Sequence, residues 1–209
     1  METSFGLSNG LIRNLLTCGI IAAFLYETAD FLGIFLLTGY NFISDTAGLT
    51  TAPGAFSRPF VLAVSILADL VLIGFAVGVW LTGAGNWAQR VMAVFITANA
   101  LFALAGLAFF PMHPEEAVTS QANRLNTVVM AMSMFSFVLA IIFGIPANHN
   151  WLRYVSLAII LFFLVATVIG LVLPRPHGPT TGIQERTMII FYLAWLIMQS
   201  LVLLTKNEP

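Results

Sequence analysis

Three carboxylic acids stand inside long apolar runs: Glu27 and Asp30 in the first, Asp69 in the second. A charge placed in hydrocarbon costs about 2.5–3.5 kcal/mol on insertion scales, so an intramembrane acid is read first as a functional group. Glu27 and Asp30 are three residues apart and would share a helix face. By helical rise, Asp30 lies roughly 12 Å, Asp69 roughly 13 Å, and Glu27 and Asn99 roughly 16 Å below the same side of the membrane. Three runs thus carry polar groups to matched depth, as the walls of one pocket would. Paired carboxyls in such a pocket could act as proton donor and acceptor, Asp30 and Asp69 foremost and Glu27 with them. The competing reading makes each acid a hydrogen-bond partner that glues one helix to another.

The candidates around that layer are sparser. Arg58, Arg124 and Arg186 sit at the ends of runs, where each could pair with a buried acid or hold an anionic head group. Each could equally be an interfacial arginine reaching for phosphates. Glu185 adjoins Arg186, and His113 is a loop residue able to exchange protons near neutral pH, or simply a solvated histidine. His113, His149 and His177 lack ligand spacing, so neither metal nor cofactor is expected. No Gly-rich phosphate loop and no nucleophile elbow is present. Ser44-Asp45 is expected to cap a short helix in the first long loop.

The elements that must position these residues are membrane helices. The chain of 209 residues is 59% hydrophobic and 8% charged. A soluble domain averages about 25% charged residues, so this one could not cover its surface with polar groups. Its net charge of −1 leaves no basic face for nucleic acid. Cys18 is the sole cysteine, so no internal disulfide can form. The first apolar stretch is too long for a signal core and is expected to remain as a span. About 20 apolar residues cross the hydrocarbon. On that basis we expect six spans in one all-α integral-membrane domain: 15–37, 60–81, 91–110, 125–145, 151–173 and 187–205. Long continuous runs exclude a barrel, which shows short alternating segments. Gly39, Pro59, Gly83, Gly85, Pro111, Pro114, Pro146 and the stretch 174–179 separate them, and Thr181 with Gln184 reads as a capping box for the last.

Six spans return both ends of the chain to one side, face A, with two tight turns, 82–90 and 146–150. The other side, face B, carries loops 39–59, 111–124 and 174–186. Trp80, Trp87 and Trp151 fall at face A, as an interfacial belt would. Lys and Arg number four at each face: Arg13, Arg90, Arg153 and Lys206 against Arg58, Arg124, Arg175 and Arg186. Loop length then sets the expectation: a multi-pass protein of the cell membrane with face A cytoplasmic.

The ordered set Gly39-Tyr40, Ile43-Ser44-Asp45, Ala52-Pro53-Gly54-Ala55, Phe110-Pro111 and Gly182 with Glu185-Arg186 resembles the domain-of-unknown-function 998 family. It departs from that pattern where Met112-His113 follows Phe-Pro and where Arg58 replaces asparagine. The resemblance implies uncharacterised prokaryotic membrane proteins with six spans, and no activity. Three functions remain open. One is a pocket that binds or processes an amphiphile entering from membrane lipid. Another is a non-catalytic assembly subunit. The third is a small proton-coupled transporter, which with six spans and no internal repeat would need a homo-oligomer.

Overall fold

The computed structural model describes residues 9–117, 119–148, 151–172 and 181–206. Among them the chain is helical throughout: α1 (Asn9–Leu36), a 3-10 turn η1 (Ala47–Thr51), α2 (Arg58–Thr82), α3 (Trp87–Phe109), α4 (Gln121–Ala147), α5 (Leu152–Val172) and α6 (Thr181–Lys206). Five of these, α1 to α4 and α6, are long and apolar enough to cross a membrane. The described apolar stretch of α5, Leu152–Val165, is shorter. Arg175, His149 and His177 lie outside the described residues, as does the side chain of Thr181 on which the expected capping box turns.

All the helices but α5 begin before the apolar runs that mark them. α1 starts six residues, α4 four and α6 six before the expected span boundaries. The reason is that hydropathy ends at the hydrocarbon edge, whereas a helix continues until its backbone is capped. For α4 the cap is Ser120, whose side chain accepts from the Asn123 amide at 3.2 Å. Pro146, expected beyond span 4, falls inside the last turn of α4. Ser44-Asp45 does not cap η1; the N-cap is Thr46, without a side-chain bond. Asp45 instead accepts from the Asn41 amide (2.9 Å) and the Ser44 hydroxyl (3.0 Å), closing its own turn.

Each helix packs on the next in the chain, and α6 returns to pack on α1, closing a ring of six. Gly78 of α2 makes one junction: a Cβ there would stand 3.1 Å from the backbone of Leu15 and Leu16, tight enough that α1 would have to shift by a few tenths of an ångström. Fully buried Trp195, Phe75, Leu72, Met92, Ile96 and Leu196 fill the ring. The outer surface is apolar as well, with Phe24, Phe31 and Phe35 of α1 among its large exposed side chains. A bundle apolar both inside and out takes lipid as its solvent.

Candidate functional site

The sequence sets Tyr26 and Asp30 one helical turn apart, on one face of α1. The two anchor different storeys of a polar seam. Asp30 lies about 9 Å inside the face-B end of α1, and Arg186 about 8 Å inside that of α6. Tyr26, Asp69, Asn99, Tyr192 and Ser133 lie about 15–18 Å inside their own helices. The single expected layer is therefore two, and the acids divide between them.

The upper storey is built on Arg186, which is 3% exposed. Its Nε donates to Asp30 Oδ2 at 2.9 Å, and Nη2 to Asp30 Oδ1 at 3.1 Å and to the Tyr40 hydroxyl. Nη1 donates to the carbonyls of Phe42 (3.0 Å) and Asp45 (3.1 Å). A guanidinium has five N–H donors, and all five are engaged. The rings of Tyr40 and Phe42 also lie against it, at 5.3 and 4.5 Å. Tyr40 donates in turn to the carbonyls of Asp45 and Thr46, each at 3.0 Å, and burial raises its hydroxyl above the ordinary tyrosine value. Gly182 makes this docking sterically feasible: a Cβ there would collide with the carbonyl oxygens of Asp45 and Phe42. With that space free, the Ile183 amide donates to the Ile43 carbonyl at 3.0 Å.

Neighbouring residues hold the rest of the first loop. Glu185 accepts from the Ala47 amide at 3.2 Å, satisfying the start of η1. Arg58 donates to the Thr51 carbonyl at 2.6 Å and Ser57 to the Thr50 carbonyl at 2.7 Å, satisfying its end. Asn123 fixes the second loop, exchanging bonds of 2.9 Å with both the amide and the carbonyl of His113. The His113 ring stands 3.9 Å from Glu116.

Between these two loops lies an open cavity of about 340 Å³. Tyr40, Asp45, Leu49, Pro53 and Glu115 are among the residues lining it, and no Lys, Arg or His is. Both carboxylate-bearing residues come from the loops rather than from the membrane helices.

The lower storey holds Asp69, 0% exposed. Tyr26 donates to its Oδ1, while Oδ2 has no hydrogen-bond partner among the described residues. Tyr192 stands within electrostatic reach of it and donates to Asn99 Oδ1 at 3.0 Å. Asn99 donates to the Ser133 hydroxyl at 2.8 Å, so α1, α2, α6, α3 and α4 all meet at this level. Nearer face A a third polar group forms, where Asn148 donates to Gln199 Oε1 at 2.9 Å; Gln199 Nε2 and the Ser200 hydroxyl are buried without hydrogen-bond partners among the described residues.

Of the nine residues singled out in the sequence, Asp30 and Arg186 meet directly, with Glu185 and Arg58 bracing the same loop. Asp69 and Asn99 share the lower storey without bonding each other. Glu27 is half-buried, Arg124 is exposed, and neither makes an ion pair among the described residues. The tyrosines Tyr26, Tyr40 and Tyr192 were not singled out as site residues. A signal existed for the first, four residues before Asp30 on the same helix face.

A family model described as "Protein of unknown function (DUF998)" matches residues 20–202. No curated protein and no solved structure matches.

Proposed function

The chain belongs to the DUF998 family of proteins of unknown function, and we propose that it is an integral membrane protein that binds the head group of an amphiphile in the cavity at the face-B end of its bundle. In this reading α5 is the sixth crossing, face A is cytoplasmic, and the Asp30–Arg186 pair is structural. The observation that carries it is the saturation of Arg186: every N–H it owns holds Asp30 or the loop that walls the cavity. An arginine so engaged has no donor left for a phosphate, which would have to break existing bonds to enter.

The ligand class follows from the lining. Asp45 and Glu115 are the charged residues of the lining, so the cavity favours a head group with positive charge or several N–H and O–H donors. Beneath it, α1 presents Phe31 and Phe35 to lipid, the second 82% exposed, along which an acyl tail can lie. The depression is open, about 340 Å³ in volume, and so offers room for a head group while leaving the tail outside it.

The test uses two amphiphiles with one tail and different heads, a long-chain amine and its phosphate counterpart. Purified protein in nanodiscs should retain the amine over the phosphate. Glu115→Gln and Leu49→Trp should each reduce that retention severalfold with the thermal midpoint unchanged. Equal retention of both heads, or indifference to both substitutions, would remove the reading. The helix-to-helix pairing of Asp30 and Asp69 favours a second reading, an assembly subunit without a ligand, and that result would support it.

A further inference from the structure

Asp69 has no part in the cavity. A carboxyl in the middle of a bundle, wholly shielded, with one oxygen bonded and the other not, is an unfinished hydrogen-bonding site. In hydrocarbon no bulk water can complete it, so what completes it must arrive through the bundle. The simplest ligand for a carboxylate oxygen is a proton.

We propose that Asp69, with Tyr26 and Tyr192 around it, is a reversible proton-binding site that exchanges with face B and is closed to face A. The groups facing it are Tyr26 from α1 and Tyr192 from α6, with the neutral Asn99 of α3 behind Tyr192. On its own helix, one turn to either side, stand Ser65 and Ile73, neither of which titrates. Nearer face B stand the charges Asp30 and Arg186, paired to each other, and half-buried Glu27 adjoins Tyr26 on α1. Asp30 remains 25% exposed at its side chain and stands about 6 Å above Tyr26 along α1. Toward face A the interior is Leu72, Phe75, Trp195 and Leu196, each fully buried. The polar groups on that side are uncharged and already bonded, the Trp195 indole N–H to the Ser156 hydroxyl at 3.0 Å and the Ser136 hydroxyl to the Met132 carbonyl, until Gln199 and Ser200, about 10 Å beyond Tyr192 along α6. A proton therefore meets charged, partly exposed side chains toward face B and only buried, uncharged side chains toward face A. The inference does not rest on the amphiphile reading and stands without it.

The probe is dicyclohexylcarbodiimide, which partitions into bilayers and adds to a protonated carboxyl. The acid O–H adds across one C=N bond, the proton goes to nitrogen, and the acyl group then migrates to nitrogen; nothing leaves, and the protein gains the mass of one reagent molecule. Full-length protein is reconstituted in liposomes whose inner and outer pH are set separately, with orientation read from protease access to a tag beside Lys206. Peptide mass mapping should place the label on Asp69. Labelling should fall about tenfold per pH unit above its midpoint as the face-B side is made alkaline, and ignore the face-A side. Tyr26→Phe should label more strongly than the native chain at a given pH, because the carboxylate loses its donor; Asp69→Asn should abolish the signal. If Asp69→Asn does not fold, the Tyr26→Phe comparison and the sidedness remain decisive. Absence of label on Asp69 in folded protein, labelling indifferent to pH, or labelling that follows the face-A side each overturns the proposal.

Discussion

Arg186 couples a buried acid to a surface loop through one planar group. Removing one member of a buried ion pair leaves the other charge stranded, which costs about 3–5 kcal/mol. Arg186→Ala should therefore lower stability by that order, measured as denaturant or thermal unfolding in detergent; a variant as stable as the native chain would show that Asp30 needs no partner. Arg186→Lys keeps the charge but offers three donors on a mobile head, and should recover only part of the loss. Tyr192→Phe is a milder change. It strips the donor from Asn99 Oδ1, and interhelical hydrogen bonds in membrane proteins average about 0.6 kcal/mol. Stability should fall by less than about 2 kcal/mol in the same assay. At this scale the sequence named Asp30, Asp69, Asn99 and Arg186 and allowed for arginines pairing with buried acids. It could not give the donation from Tyr26 to Asp69, because a tyrosine in an apolar run has the same composition whether it faces lipid or a carboxyl.

Among elements, the N-terminus of α6 is the one on which the first loop is built. Gly182→Ala should push α6 away from the carbonyls of Asp45 and Phe42 and destabilise by about 1–3 kcal/mol, as overpacking does. Hydrogen exchange should report faster opening at residues 42–46 while the α2–α3 turn stays protected; uniform loosening would point to a global defect instead. The α1–α2 junction allows a direct test of geometry. A Cβ built on Gly74 stands 3.9 Å from the Cβ of Cys18 and 3.6 Å from its sulfur, within the range a disulfide needs. Since Cys18 is the chain's sole cysteine, Gly74→Cys should yield one intramolecular disulfide on mild oxidation, detected by the loss of two hydrogens in intact mass. Failure to close would mean that α1 and α2 cross elsewhere.

For the whole molecule the question is whether all six helices traverse the bilayer. With Cys18 replaced by Ala, single cysteines at Gly85 and Lys206 should react with an impermeant maleimide from one side, and those at Gly54 and Glu115 from the other. If α5 stays on one side, position 206 moves to the side of 54 and 115, so one measurement separates the arrangements. The ring of helices, with α6 closing onto α1, makes the sides of loops and turns mutually dependent.

The long apolar runs by themselves determined a helical membrane protein, because lipid admits no other use of so many consecutive apolar residues. Most of the Gly and Pro punctuation marked turns, Pro146 inside α4 being the exception, and the short motifs of the loops pointed to the family. Helix rotation was beyond reach of the sequence. Four acids and amides at similar depth looked like one pocket, but depth is a one-dimensional quantity, and which sides of two helices meet depends on how their surfaces interlock. Only the tertiary structure separated Asp30 from Asp69 by one turn, gave the first to Arg186 and the second to Tyr26, and set the open cavity among the loops. Long-range pairings of this kind, such as residue 30 with 186, are decided by packing of the whole ring, which no local window of sequence contains.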